Sequence, residues 1–390
     1  MTTTLQKPLV RLELLEAVRP ELLTRFLRPF EDYLASRDIS LTGSGDLAWV
    51  GRLHQVLSTV DTEAPADLQQ GLLDIAELTT NDDAHESVLT AARDHQLGLF
   101  AVNPTTTPED LAFEVYLDHR EVFRSAHARV QTADVKRFVE FPAKDDTQLV
   151  GPVSASKQLQ LSRMLGGWFR QRNRTAFCDV RVFESKDEIS IVVIHGRPPR
   201  NQGAIQSDDL RTRVTFVPDK HDVIVYDRRR NTLGVNAQFL GEQDYYRRAI
   251  GEVLWNNPEH FVAKPVLSGQ PLEEQGSAVL DPHGVPGLQE VILREVRLVS
   301  QGKDNAVASF KGQDLRPFLD SPFGRLALEF GKVDHFKLSL VLTGRPRPLQ
   351  VEVHVPNDLS FDRQVCSDIV HEYLLEAGFM QMPTAQQQAA

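Results

Sequence analysis

In residues 20–36, PELLTRFLRPFEDYLAS, the apolar positions Leu22, Leu23, Phe26, Leu27, Phe30 and Leu34 recur at spacings of three and four. That stripe predicts an amphipathic helix, which Pro29 must kink or split. The same period returns in LAWVGRLHQVL after the turn and cap Gly43-Ser44-Gly45-Asp46, in APADLQQGLLDIAEL behind Pro65, and in TNDDAHESVLTAARDHQ. It appears once more in TTTPEDLAFEVYLDHREVFRSAHARV, whose Thr107-Pro108-Glu109-Asp110 opening is a helix N-terminus signature. Residues 1–140 are therefore expected to form a helical bundle. No repeat of roughly 33 to 47 residues is present, so a solenoid is not expected.

The pattern changes after the polar, irregular stretch 131–155, which reads as a boundary. KQLQLSRMLGGWFRQRN predicts a helix. AFCDVRVFESKDEISIVVIHG then predicts strand, turn at Ser185-Lys186-Asp187, and strand, followed by a long loop HGRPPRNQGAIQSDD at 195–209. TRVTFVP, HDVIVYD and TLGVNAQFL predict three further strands, and EQDYYRRAIGEVLWNN a closing helix. Residues 151–262 thus read as one α+β domain. The Pro- and Gly-rich stretch 263–285 reads as a linker or long loop. LQEVILREVRLVS and AVASFKG predict a hairpin, and DLRPFLDS a short helix. RLALEF, DHFKLSLVLTG and LQVEVHVP predict strands, and FDRQVCSDIVHEYLLEAGF an amphipathic helix, giving a second α+β domain over 286–382. Residues 383–390 read as a frayed tail. The expected fold class is multidomain α+β: an N-terminal helical bundle followed by two mainly antiparallel-sheet α+β domains.

Composition narrows the class. The chain has 390 residues, too many for one ordinary core. Its 41% hydrophobic and 25% charged content is that of a globular protein. No apolar run is long enough for a membrane helix, and MTTTLQKPLVRLELLEAV lacks the basic and apolar regions of a secretory signal. Cys178 and Cys366 are the only cysteines. They support neither a disulfide framework nor a four-thiolate zinc site, so a reduced, cytoplasmic protein with both thiols in the core is expected. The 32 Arg against 11 Lys fit a GC-rich bacterial genome.

Charge is uneven. Residues 1–150 carry 14 basic and 25 acidic groups, residues 151–250 carry 17 and 11, and residues 251–390 carry 12 and 18. A basic middle between acidic flanks places any anionic partner there. Within it, GWFRQRNR at 167–174 puts three arginines and two aromatics into eight residues. Continued as a helix from Ser156, Arg170 and Arg174 fall within about 20° of Arg163, while Leu161, Met164, Leu165, Trp168 and Phe169 fall on the opposite face. The aromatics are then core anchors and the arginines an outward stripe. With Arg197 and Arg200 of HGRPPR and Arg228, Arg229 and Arg230 of DRRRN, that stripe is a candidate surface for phosphate or an acidic protein. Arginine suits both, because its planar fork pairs bidentately with oxyanions. The same residues also make an ordinary solvated helix end, favoured there by the helix dipole.

Motifs with defined chemistry are missing: no GxxxxGK[ST], no GxGxxG behind a strand, no GxSxG and no HExxH occur. On neighbouring predicted strands stand Asp334-His335 and Glu352-Val353-His354. Asp334, Glu352 and His354 have nearly the spacing of a metal-dependent nuclease core, except that His354 stands where a lysine would be expected. Alternation equally makes them polar residues on the wet face of an antiparallel sheet. The leading expectation is a non-enzymatic subunit or adaptor of a bacterial multi-protein complex, of the kind used in defence or genome maintenance, with no metal or cofactor. Its residues 155–250 would contact DNA, RNA or an acidic partner, and its acidic helical domain would dock another protein. The alternatives are a metal-dependent nuclease or phosphodiesterase using Asp334, Glu352 and His354, and a sensor of an anionic small ligand held by Arg197 and Arg200.

Overall fold

The computed structural model describes residues 11–43, 46–59, 61, 63–80, 82–94, 107–133, 135–149, 151–185, 187–205, 210–302, 304–363 and 366–381. The expected tail 383–390, Ser44-Gly45 of the first turn and Lys186 of the 185–187 turn lie outside them. The chain divides into two compact units, Met1–Gln131 with Arg200–Phe216, and Thr132–Pro199 with Val217–Ala390. No helix among the described residues is long and apolar enough to cross a membrane.

The helices of the first unit, which also contains the 200–216 hairpin, are α1 (Leu12–Ala17), α2 (Pro20–Leu27), α3 (Glu31–Ala35), α4 (Leu47–Ser58), α5 (Ala66–Glu77), α6 (Asp82–Asp94), α7 (Pro108–Asp118) and α8 (Arg120–Ala133). Pro29 splits the helix expected over residues 20–36 through a 3-10 turn at Arg28–Phe30. Asp46 and Thr107 cap α4 and α7, accepting from the amides of Trp49 and Asp110. The apolar stripes converge on one core in which Phe26 meets Phe113 edge to face, ring centres 5.5 Å apart. Asp110 is buried and accepts from the Arg19 backbone amide and side chain at 2.7 and 3.0 Å.

The remaining elements are β1 (Arg137–Pro142), α9 (Ala155–Arg170), β2 (Cys178–Glu184), β3 (Glu188–Gly196), β4 (Arg200–Ile205), β5 (Arg211–Phe216), β6 (Asp219–Asp227), β7 (Thr232–Asn236), α10 (Leu240–Trp255), α11 (Gln270–Gln275), β8 (Leu288–Ser300), β9 (Val307–Lys311), α12 (Arg316–Asp320), α13 (Pro322–Glu329), β10 (Gly331–Leu342), β11 (Leu349–His354), β12 (Asp358–Ser360) and α14 (Ser367–Glu376). Apart from β4 and β5, which form a two-stranded sheet of their own, the strands make one antiparallel sheet of ten in the order β2-β3-β6-β7-β1-β12-β11-β10-β8-β9. The molecule is thus a mixed helix and sheet protein with a large antiparallel sheet.

Four local expectations change. The boundary stretch contains β1, whose alternating Phe138, Val139, Glu140 and Phe141 pair with β7 on one side and β12 on the other. Strands read as two separate sheets are therefore hydrogen-bonded into one. The stretch 263–285 carries α11 and a 3-10 turn, and its Val266, Leu267, Leu272, Val279 and Leu280 are core residues, so it is packed structure and not a linker. RLALEF is largely helix: Ser321 accepts from the Gly324 amide and Pro322 opens α13, and this start signal overrides the alternating apolar residues. Finally, residues 200–205 of the expected loop pair with 211–216 as a hairpin.

The two halves of the large sheet are covered on opposite faces. Directly paired residues share a face, so the pairings Val139↔Val235, Val139↔Asp358 and His354↔Asp358 place all four on one side. On that side the first half buries Phe141, Ile191, Ile224 and Val235 against Leu165, Phe169, Tyr246 and Ile250 of α9 and α10. The second half buries Val353, Phe336, Leu338 and Leu359 on the other side, against Val370, Tyr373 and Leu374 of α14. The seam lies at β1 and β12. There the Asn357 side chain donates to the carbonyls of Glu140 at 3.0 Å and Lys264 at 2.8 Å, and its oxygen accepts from the Val266 amide at 3.2 Å. The Asn357 carbonyl accepts from the Glu140 amide, and Arg363 pairs with the buried Glu140 carboxylate and lies 4.3 Å from the Phe138 ring centre.

Replacing Asn357 by leucine removes the partner of the buried Glu140 carbonyl and the side-chain acceptor of the buried Val266 amide. Asn357→Leu is expected to destabilise the protein by about 2 kcal/mol. Urea unfolding followed by tryptophan fluorescence measures this, and an unchanged midpoint would show that the seam does not depend on the amide.

Candidate functional site

The arginine stripe does not form as a helical wheel predicts. Asn173 adopts a left-handed conformation, φ +57°, just past the end of α9 at Arg170. Asparagine tolerates this turn, which stops a helix. Arg174 therefore leaves the helix and points inward, where it meets Glu242 of α10 at 2.6 Å with its side chain only 10% exposed. Arg163 and Arg170 remain exposed on α9. Arg172 lies over the Trp168 ring at 3.8 Å, and Trp168 and Phe169 are buried.

The DRRRN turn is also matched by carboxylates. Arg228 pairs with Glu184 at 2.7 Å, Arg229 with Asp368 at 2.6 Å, and Arg230 with Asp227 and, at 3.6 Å, Asp368. Arg197 lines a cleft of about 520 Å³ together with Arg137, Lys220, His221, Asp222 and Asp358. Arg200 is exposed on β4, so it belongs with the hairpin, as do the exposed Arg211 and Arg213.

Behind that cleft lies a buried charged network that sequence reasoning missed. His195 of β3 and Tyr246 of α10 approach the same oxygen of Asp222 at 2.9 and 2.7 Å. Lys220 reaches Asp222 at 2.8 Å and Glu242 at 3.2 Å, and Arg174 completes the chain. His195 stacks on Phe169, ring centres 4.0 Å apart. Gly166 lets α9 approach closely enough for this, since a Cβ there would lie 2.5 Å from the Ala176 carbonyl. Burial alone would raise the Asp222 carboxyl. The hydrogen bonds from His195 and Tyr246 and the Lys220 ammonium outweigh it, and Asp222 sits below the usual carboxylate value. The available signal was Lys220-His221-Asp222 opening an otherwise apolar strand, but its partners lie on other elements.

The Asp334, Glu352 and His354 set is redrawn. Asp334 is held bidentate by Arg297, at 2.8 Å through both oxygens, beside an irregularity in the β8–β10 register. Its neighbour His335 takes its place, because His335 lies directly opposite His354. The Nε2 atoms of His335 and His354 stand 2.9 and 3.2 Å from one oxygen, Oε1 of Glu352. Their rings stack at 4.2 Å, and Glu295 Oε1 lies 4.0 Å from the other ring nitrogen of His335. Burial, with His335 beside it, pushes His354 below its ordinary value. Burial pushes Glu352 up, yet the His335 hydrogen bond and the neighbouring His354 bring it below the usual carboxylate value. Three ligand atoms, one from each of these residues, lie within 4.8 Å of one another.

Cys178 is paired across the strands with His195, but burial, with Asp179 and Asp222 nearby, pushes its thiol up to about 12. It is a partly buried, packed thiol held in its protonated form. Cys366 is exposed, contrary to the expectation that both thiols lie in the core.

No family model matches the chain, and no characterised protein matches it either.

Asp222, depressed in the fold, contributes stability that is present above about pH 4, the unfolded carboxylate value, and is lost as pH falls through its folded value. Asp222→Asn should cost about 3 kcal/mol at neutral pH. It should also flatten the loss of stability on acidification below about pH 5, as read from denaturant midpoints across pH. An acid limb as steep as that of the wild type would contradict this role.

Proposed function

We propose that this chain is a non-catalytic binding subunit of a multi-protein complex, which docks an extended acidic segment of a partner protein along the β4–β5 hairpin. The observation that carries this reading is the exposure of the hairpin on both faces. Ile205 is 72% exposed, Val214 45% and Phe216 41%. On one face Arg200 stands opposite Phe216 and Gln202 opposite Val214; on the other Gly203 stands opposite Arg213 and Ile205 opposite Arg211. No third strand joins β4 or β5 among the described residues.

Two strands alone are marginal in water, and open strand edges are templates for pairing with another chain. Main-chain hydrogen bonds from such an edge give affinity, and the side chains on either face give selectivity. Exposed apolar residues mixed with arginine are the composition of a protein interface core. Arg200, Arg211 and Arg213 pair with no described carboxylate and would select an acidic strand. The matching of Arg174, Arg228, Arg229 and Arg230 by carboxylates weighs against a phosphate-tracking stripe, because matched arginines release few counterions on binding.

The test is a photo-crosslinking residue at position 214 of the full chain, in cells of its own source. A dominant light-dependent adduct through an acidic peptide is expected. It should be lost in the Arg200→Glu, Arg211→Glu, Arg213→Glu triple variant at unchanged melting temperature. An adduct that survives charge reversal would overturn the reading. So would salt-steep binding of labelled DNA or RNA that the triple variant abolishes, which would make the hairpin a nucleic-acid contact.

A further inference from the structure

We infer that His335, Glu352 and His354 form a site for one divalent transition-metal ion of the zinc class, with a fourth position open to solvent. The inference concerns the second half of the large sheet and does not depend on the hairpin reading. Its basis is convergence. A solvated sheet face spreads its polar groups apart, whereas here two imidazoles on adjacent strands aim their Nε2 atoms at one carboxylate oxygen, at 2.9 and 3.2 Å. With metal–ligand bonds of about 2.0–2.1 Å, the edge of a tetrahedral site is roughly 3.3 Å. The two nitrogen–oxygen edges are therefore close to the length a bound ion requires.

The donor chemistry selects the metal. Two imidazoles and one carboxylate suit zinc and its late first-row neighbours, while magnesium and calcium favour all-oxygen shells. Three protein ligands leave room for water or another ligand. Access is available through Glu352 and His354, whose side chains are 35% and 27% exposed, whereas His335 is 6% exposed and anchors the site. Glu295 stands 4.0 Å from Nδ1 of His335, the side where an outer carboxylate orients a metal-bound histidine. Asp334 takes no part, because Arg297 occupies both of its oxygens.

The experiment titrates the full chain, stripped with chelator, with Zn²⁺ by isothermal calorimetry near pH 7.5, and records the visible spectrum with Co²⁺. One saturable equivalent is expected, with the intense absorption of four-coordinate cobalt. Glu352→Gln and His354→Asn, both at partly exposed positions, should each weaken binding by roughly 100-fold, and Glu295→Gln by about 10-fold. Asp334→Asn should leave the affinity unchanged. Melting temperatures of the metal-free variants separate loss of ligand from loss of fold. Absence of saturable binding would overturn the site. So would undiminished one-to-one binding in both Glu352→Gln and His354→Asn, which would place the metal on other side chains.

Discussion

The second unit depends on the seam between β1 and β12. Without that pairing, the strands of residues 178–236 and 288–360 would each expose an edge. With it, they are one sheet whose two cores lie on opposite sides. The contact is unusually polar for a sheet interior. Asn357 uses its whole amide on Glu140, Lys264 and Val266, and Arg363 neutralises Glu140. A buried amide satisfied at each atom specifies one register, because a slip by one residue would leave its partners unpaired. The aromatic faces of Phe138 and Phe361 hold the Arg363 guanidinium in place.

The alternation of cores explains where polar chemistry can sit. Each half leaves one face of its strands without its own helices. In the second half that face carries Glu295, Arg297, His335, Lys337, Ser339, Glu352 and His354. Polar groups need hydrogen-bond partners once neighbours shield them from water: His335 and His354 find theirs in Glu352, Arg297 in Asp334, Glu295 in Lys311, and Ser339 in Gln350. The convergence of His335 and His354 on Glu352 follows from this constraint together with a register that sets the two histidines face to face. In the first half the helices cover the face that carries His195, and the polar groups beneath them became a closed network of Arg174, Glu242, Lys220, Asp222 and Tyr246.

The same principle governs the arginines. A basic segment in an acidic chain gains most by pairing with carboxylates already at hand. Glu184, Asp227, Glu242 and Asp368 take up four of the arginines that the charge pattern picks out. Among the described residues, Arg163 and Arg170 on α9, Arg197 in the cleft and the three arginines of the hairpin have no carboxylate ion-pair partner. Net charge along a sequence therefore overstated the basic surface, because it counts cations without counting the partners that folding brings to them.

Local periodicity determined much by itself. The split of the 20–36 helix at Pro29, the helices α2 to α6 of the first unit, the strands around Val192, Ile224 and Leu340, and the core roles of Trp168 and Phe169 were legible, because each follows from neighbours within a few residues; α1 and the break between α7 and α8 were not. Elements governed by competing local signals were misread: α13 because its alternating apolar residues look like a strand, and the end of α9 because a wheel has no term for a left-handed Asn173. Only the tertiary structure decided that β1 is a central strand, that Val266 to Leu280 is core, that His335 replaces Asp334 beside Glu352 and His354, and that Arg174 turns inward to Glu242. Each of these rests on a partner in another element, from 17 residues away for His335 and Glu352 to 217 for Glu140 and Asn357. A pattern within one element carries which residues share a face; it does not carry which other face they meet.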